Sequence, residues 1–166
     1  MRRIGIILAL VVALAAPSVV SAHWPVHSRS SYISQWFRRG HRAIDIVAPR
    51  DANIYAIRFG RVIFSGWRRN CGGWQVLIKH RSGKYSLYAH MLRRPPVAAG
   101  QYVDSSTKIG DVGMSGVPPK GVSMVCASGY HVHIEFWVGY PWRSGSYRKS
   151  AWQAIDHGPW LPDRYR

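Results

Sequence analysis

Residues 129–136, Gly129-Tyr130-His131-Val132-His133-Ile134-Glu135-Phe136, set the reading of the whole chain. The stretch is rich in β-branched and aromatic residues, the types favoured on a pleated strand. A strand alternates its faces residue by residue, so His131 and His133 project from one face. Val132 and Ile134 point the other way, into apolar packing. Two imidazoles side by side on a rigid element suit metal binding. Two such histidines can also be plain surface residues, so the weight of the pair depends on further ligands elsewhere.

Working outward, the chain reads as short strands separated by turns. Residues 43–47 form one, because Ile44, Ile46 and Val47 are β-branched and Pro49 ends the run. Others are expected at 54–57, at 61–65 after Gly60, and at 74–80. Ser82-Gly83 marks a tight turn into a hairpin partner at 85–91, which Arg93-Arg94-Pro95-Pro96 breaks. Short edges follow at 100–103 and 108–112, and the last strand is 130–138. Residues 68–73 and 113–129 read as loops. The fold class is therefore all-β, a compact antiparallel domain that is either a sheet or barrel-like, with irregular N- and C-terminal extensions. The divisions expected are a signal peptide at 1–22, a lead-in at 23–36, the main domain at 37–138 and a Trp/Arg-rich extension at 139–166. One short helical turn is expected near 150–155.

The 166 residues fit one domain. Arg2 and Arg3, the apolar run 4–16 and Val20-Ser21-Ala22 have the order of a cleavable secretory leader. That run is shorter than the ~20 residues a spanning helix needs, and no later stretch is long enough. Export makes a disulfide the simplest fate of Cys71 and Cys126, worth roughly 4 kcal/mol by chain entropy. The alternative is a pair of buried thiols. The formal charge of +16 implies an anionic partner or neighbourhood. Arginine pairs are spread along the chain (Arg38-Arg39, Arg68-Arg69, Arg93-Arg94), which favours a generally basic surface over a nucleic-acid groove. Nucleic acid is one candidate partner, and an anionic cell wall or membrane surface is another. The location expected is secreted, or periplasmic and wall-associated.

Groups able to bind a metal recur at His41 with Asp45, at His90 and at His131 with His133. A catalytic zinc site takes three protein ligands, so five groups suffice for three ligands and two bases. His41 enters the 43–47 strand from a loop. His80 reads as a hydrogen-bonded structural histidine, and His27 and His157 as surface residues. After leader cleavage His23 becomes N-terminal, which raises a rival: copper held by its amine and ring, as in oxidative polysaccharide-degrading enzymes. That rival leaves the other five groups unexplained.

Over 37–136 the chain resembles the lysostaphin/LytM-type zinc metallopeptidases, which cleave peptide bonds of bacterial peptidoglycan. The resemblance rests on H-x-x-x-D with Ile and Ala-Pro (His41 to Pro49), Gly60-Arg61-Val62, Val76-Leu77-Ile78-Lys79-His80 and Leu87-Tyr88-Ala89-His90. It continues through Val97 to Gly100, Ile109 to Gly113, and H-x-H-x-E at His131, His133 and Glu135. It implies a groove on an antiparallel sheet and one zinc ion held by His41, Asp45 and His133. It also implies His90 and His131 as the catalytic histidines and peptidoglycan stem or cross-bridge peptides as substrate. With that resemblance, anionic cell-envelope polymers are the partners expected, with no specific nucleic acid. The interval from His90 to His131 carries extra residues around 118–127, expected to border the groove. The alternative function is a catalytically silent wall-binding or amidase-activating module of the same fold.

Overall fold

The computed structural model describes residues 24–142 except His27, Ser82, Pro119 and Val122. The expected leader, His23, His27, His157, the expected helical turn and most of the expected C-terminal extension lie outside the described residues. Among the described residues nine strands form, and no helix is long and apolar enough to cross a membrane.

In chain order the strands are β1 (Tyr32–Gln35), β2 (Ile44–Val47), β3 (Asn53–Tyr55), β4 (Gly60–Arg68) and β5 (Gly73–His80). Then come β6 (Lys84–Met91), β7 (Tyr102–Val103), β8 (Lys108–Asp111) and β9 (His131–Val138). Seven form an antiparallel sheet in the order β1-β2-β9-β6-β5-β4-β7, and β3 pairs with β8 in a small second sheet. The large sheet is open at β1 and β7, which decides between sheet and barrel. The lead-in, expected to be irregular, contains β1. Only one of its four residues is even partly buried, so its sequence has no alternation to read.

Alternation divides the large sheet into two faces. Ile44, Ile46, Val76, Ile78, Tyr88, Val132, Ile134 and Phe136 point to the main core, with Ile54 and Ile109 of the small sheet. The opposite face carries Leu77, Leu87 and Trp137 in a smaller apolar cluster, with Phe64 and Trp142 against it. The polar groups of β2 and β9 share that second face. His80 is buried, with its ring nitrogens on the Phe59 carbonyl at 2.9 Å and the Ser86 hydroxyl at 2.9 Å. This is the structural role expected of it.

Cys71 and Cys126 are disulfide-bonded, with Cα atoms 4.9 Å apart. The bond ties the long loop before β9 to the β4–β5 connection. Gly116 passes through this junction at φ +149°, and a Cβ there would lie 2.0 Å from the Cys71 carbonyl oxygen. Only glycine fits that approach.

Candidate metal centre

Strand register brings the central groups together. Asp45 of β2 lies directly opposite His133 of β9, and Val47 opposite His131. Directly opposed residues share a face, so Asp45, His131 and His133 emerge side by side. His133 is also opposite Ala89 of β6. The next residue, His90, would point into the core by strict alternation. It does not, because β6 carries an irregularity against β5 between Val76 and Trp74, and His90 takes φ +62°. A left-handed residue in a bulge re-aims its side chain. The His90 ring lies 4.8 Å from that of His131 and 5.5 Å from that of His133, centre to centre. His41, on the loop before β2, stacks edge-on to His133 at 5.4 Å.

Asp45 is the hub. Its Oδ1 is 2.8 Å from His133 Nδ1, and its Oδ2 is 3.1 Å from His41 Nε2 and 3.8 Å from His131 Nε2. Burial alone would raise the Asp45 carboxyl. The hydrogen bond from His133 and the charges of His133, His131 and His41 outweigh it, so the pKa falls below the ordinary value. Burial likewise opposes charge on His133, but hydrogen bonds to Asp45 and Glu135 and their charges raise it to about 9. His90 is held down to about 4, chiefly by burial, with His133 and His131 adding to the effect. The Ser115 carbonyl and Asp45 oppose it.

Backbone carbonyls fix the tautomers, because a carbonyl only accepts. His90 Nδ1 donates to Ser115 O at 2.8 Å, and His131 Nδ1 donates to Gly129 O at 2.8 Å. Each neutral ring therefore keeps its lone pair on Nε2. His41 Nδ1 faces Trp36 O at 3.3 Å, which leaves the same arrangement there. Its Nε2 is buried, has no hydrogen-bond partner, and confronts a carboxylate oxygen. With the ring neutral, that lone pair and the carboxylate oxygen need a proton or a metal cation between them, and the convergence of three further imidazoles on the same carboxylate fits a metal ion. Two overlapping triads have ligand atoms within 4.8 Å of one another: His41, Asp45 and His133, and His90, His131 and His133.

Glu135 is a further member that the motif contained without a role attached. Period two puts it on the face of His131 and His133. Its Oε1 is 3.3 Å from His133 Nε2, and its Oε2 accepts the Trp137 indole N–H at 2.7 Å. Carboxylate partners of this kind orient a ligating imidazole and fix which nitrogen is free.

These groups line a cleft of about 650 Å³. Met124, Val125, Cys126, Ala127 and Ser128 form part of its wall, so the extra residues before β9 do border it.

Several proteins of known kind share this framework. An L-Ala--D-Glu endopeptidase of Bacillus subtilis is 32% identical over 107 residues, 60% of this chain and 32% of that protein. The described sheet superimposes on a zinc containing peptidase from Vibrio cholerae with TM-score 0.59 and 23% identity, covering 70% of this chain and 36% of that one. Lysostaphin from Staphylococcus simulans gives TM-score 0.53 and 20% identity, covering 73% and 43%. At these identities the two structures show the shared fold. The chain spans about a third of the length of the curated relatives it matches. Residues 39–146 match the profile of peptidase family M23, and on that match the chain belongs to peptidase family M23.

Proposed function

We propose that this chain is a secreted zinc-dependent endopeptidase that hydrolyses peptide bonds in bacterial peptidoglycan, with its working domain at 37–138. The observation that carries the reading is the convergence of His41, His90, His131 and His133 on Asp45 in two overlapping triads. His41, Asp45 and His133 would hold one zinc ion: this triad contains the carboxylate and the otherwise partnerless His41 Nε2. A zinc ion there would supply a Lewis acid able to polarise a peptide carbonyl and acidify water.

His90 and His131 then act as the catalytic histidines. Their Nδ1 protons are committed to backbone carbonyls, so each offers Nε2 to the cleft. Burial keeps His90 neutral in the metal-free chain, so its Nε2 lone pair faces the cleft unprotonated. Either ring takes the proton of the attacking water, and returning it to the departing amine completes the hydrolysis. As an imidazolium, the same ring stabilises the negative charge that develops on the carbonyl oxygen.

The substrate class is supported by the family and by the peptidoglycan-type peptide bond in the name of the Bacillus relative. The +16 charge favours residence near anionic wall polymers, secreted or in the periplasm. The test is a digest of purified sacculi, with and without chelator, read by mass spectrometry. New amine termini that vanish with chelator are expected. Bound zinc with no new termini would instead indicate a wall-binding or activating module.

A further inference from the structure

The cleft runs across the strands. Asp45 opposes His133, His133 opposes Ala89, and Gln75 opposes Gly66 on β4. Strands stand about 4.8 Å apart, which puts Gln75 about 10 Å and Arg68 about 14 Å from His133 along the cleft floor. Arg68 is the only arginine or lysine among the described residues lining it. Since Gly73 opposes Arg68 and Gly66 opposes Gln75, the two side chains are diagonal neighbours on the cleft face.

Both have an unmet need. The Arg68 guanidinium lies 4.1 Å over the Trp142 ring and 5.8 Å from the centre of Phe64. Its Nε is buried with no acceptor. Gln75 is only 2% exposed. Its Nε2 donates at 2.7 Å to Asn70 Oδ1, which also takes the Gly72 N–H at 3.0 Å. That fixes the amide's orientation, and Oε1 is left buried with no donor.

We propose that Arg68 and Gln75 form a subsite for an acidic residue of the substrate peptide. Arg68 takes a free carboxylate, and Gln75 accepts a neighbouring peptide N–H. This rests on the reading of the cleft as a peptide groove. A carboxylate beside an N–H meets both needs at once. An apolar side chain meets neither, and a fully ionised phosphate offers Gln75 no donor. Charged hydrogen bonds are worth enough to give about ten- to hundredfold selection. In an extended peptide, at about 3.4 Å per residue, the carboxylate sits about three to four residues from the cleaved bond.

The test uses synthetic stem peptides carrying a free carboxylate at successive positions, each paired with its carboxamide. Binding to the zinc-free full chain is read by calorimetry, and cleavage by the zinc-loaded chain by mass spectrometry. At one position the carboxylate peptide is expected to bind about ten- to hundredfold tighter. Arg68→Gln should bring the pair to within about twofold, whereas Arg68→Lys, which keeps the charge, should retain part of the preference. Gln75→Leu should weaken both peptides of the pair and leave their ratio standing. Thermal unfolding checks that each variant is folded. An unchanged ratio in Arg68→Gln, or peptides that bind wild type with no carboxylate preference anywhere, overturns the subsite and leaves the peptidase reading intact. If no peptide is bound or cleaved, the peptide-groove reading itself falls and the subsite with it.

Discussion

Zinc and a proton compete for His133. In the metal-free chain this imidazole, between Asp45 and Glu135, has its pKa raised to about 9. At pH 7 it is almost fully protonated, and the proton on Nδ1 is the one given to Asp45 at 2.8 Å. A metal ligated through that nitrogen must displace the proton. His133 should therefore release about one proton per zinc at pH 7. Its share of the apparent affinity should rise about tenfold per pH unit, or about a hundredfold from pH 6.5 to 8.5. The same shift acts on the empty protein with the opposite sign. Its raised pKa contributes stability that is fully present below pH 6.5 and is lost as pH rises through about 9. The amount is about 3 kcal/mol. The empty chain should thus lose stability over the range in which zinc binding strengthens, and the thermal shift produced by zinc should widen with pH. Calorimetry at pH 7 in two buffers of different protonation heat counts the protons directly. No proton release, together with an affinity flat from pH 6.5 to 8.5, would refute the placement of zinc at His133.

The remaining expectations concern single groups. His133→Ala should abolish zinc retention, whereas His131→Ala should keep zinc and lose about a hundredfold or more in rate; equal zinc content in both variants would overturn the division of roles. Glu135→Ala should weaken zinc about ten- to hundredfold through loss of His133 orientation, measured by competition with a chromophoric chelator. Replacing Cys71 and Cys126 with serine should cost about 4 kcal/mol in chemical denaturation. Because the loop they tie includes Ser115, whose carbonyl holds His90, the same variant should lose rate while binding zinc normally.

Much of this protein was legible in one dimension. β-branched residues at alternate positions placed β2 and β9, and period two put His131, His133 and Glu135 on one face. The ordered motifs then supplied His41, Asp45 and His90. β1 was not legible, because an exposed edge strand buries too little to impose a pattern. Nor was the use made of the β4–β5 end. Arg68 and Gln75 look like an ordinary cation and amide until packing shows which of their atoms lack partners.

The sequence by itself determined which side chains were available and which shared a strand face, because alternation is a property of the local backbone. Tertiary structure decided what they meet. Register set Asp45 against His133 across two strands far apart in the chain. A left-handed residue in a bulge turned His90 out of the core, and a disulfide-tied loop brought Ser115 to hold it. Those are contacts between segments, fixed by pairing and packing, and no local periodicity encodes them.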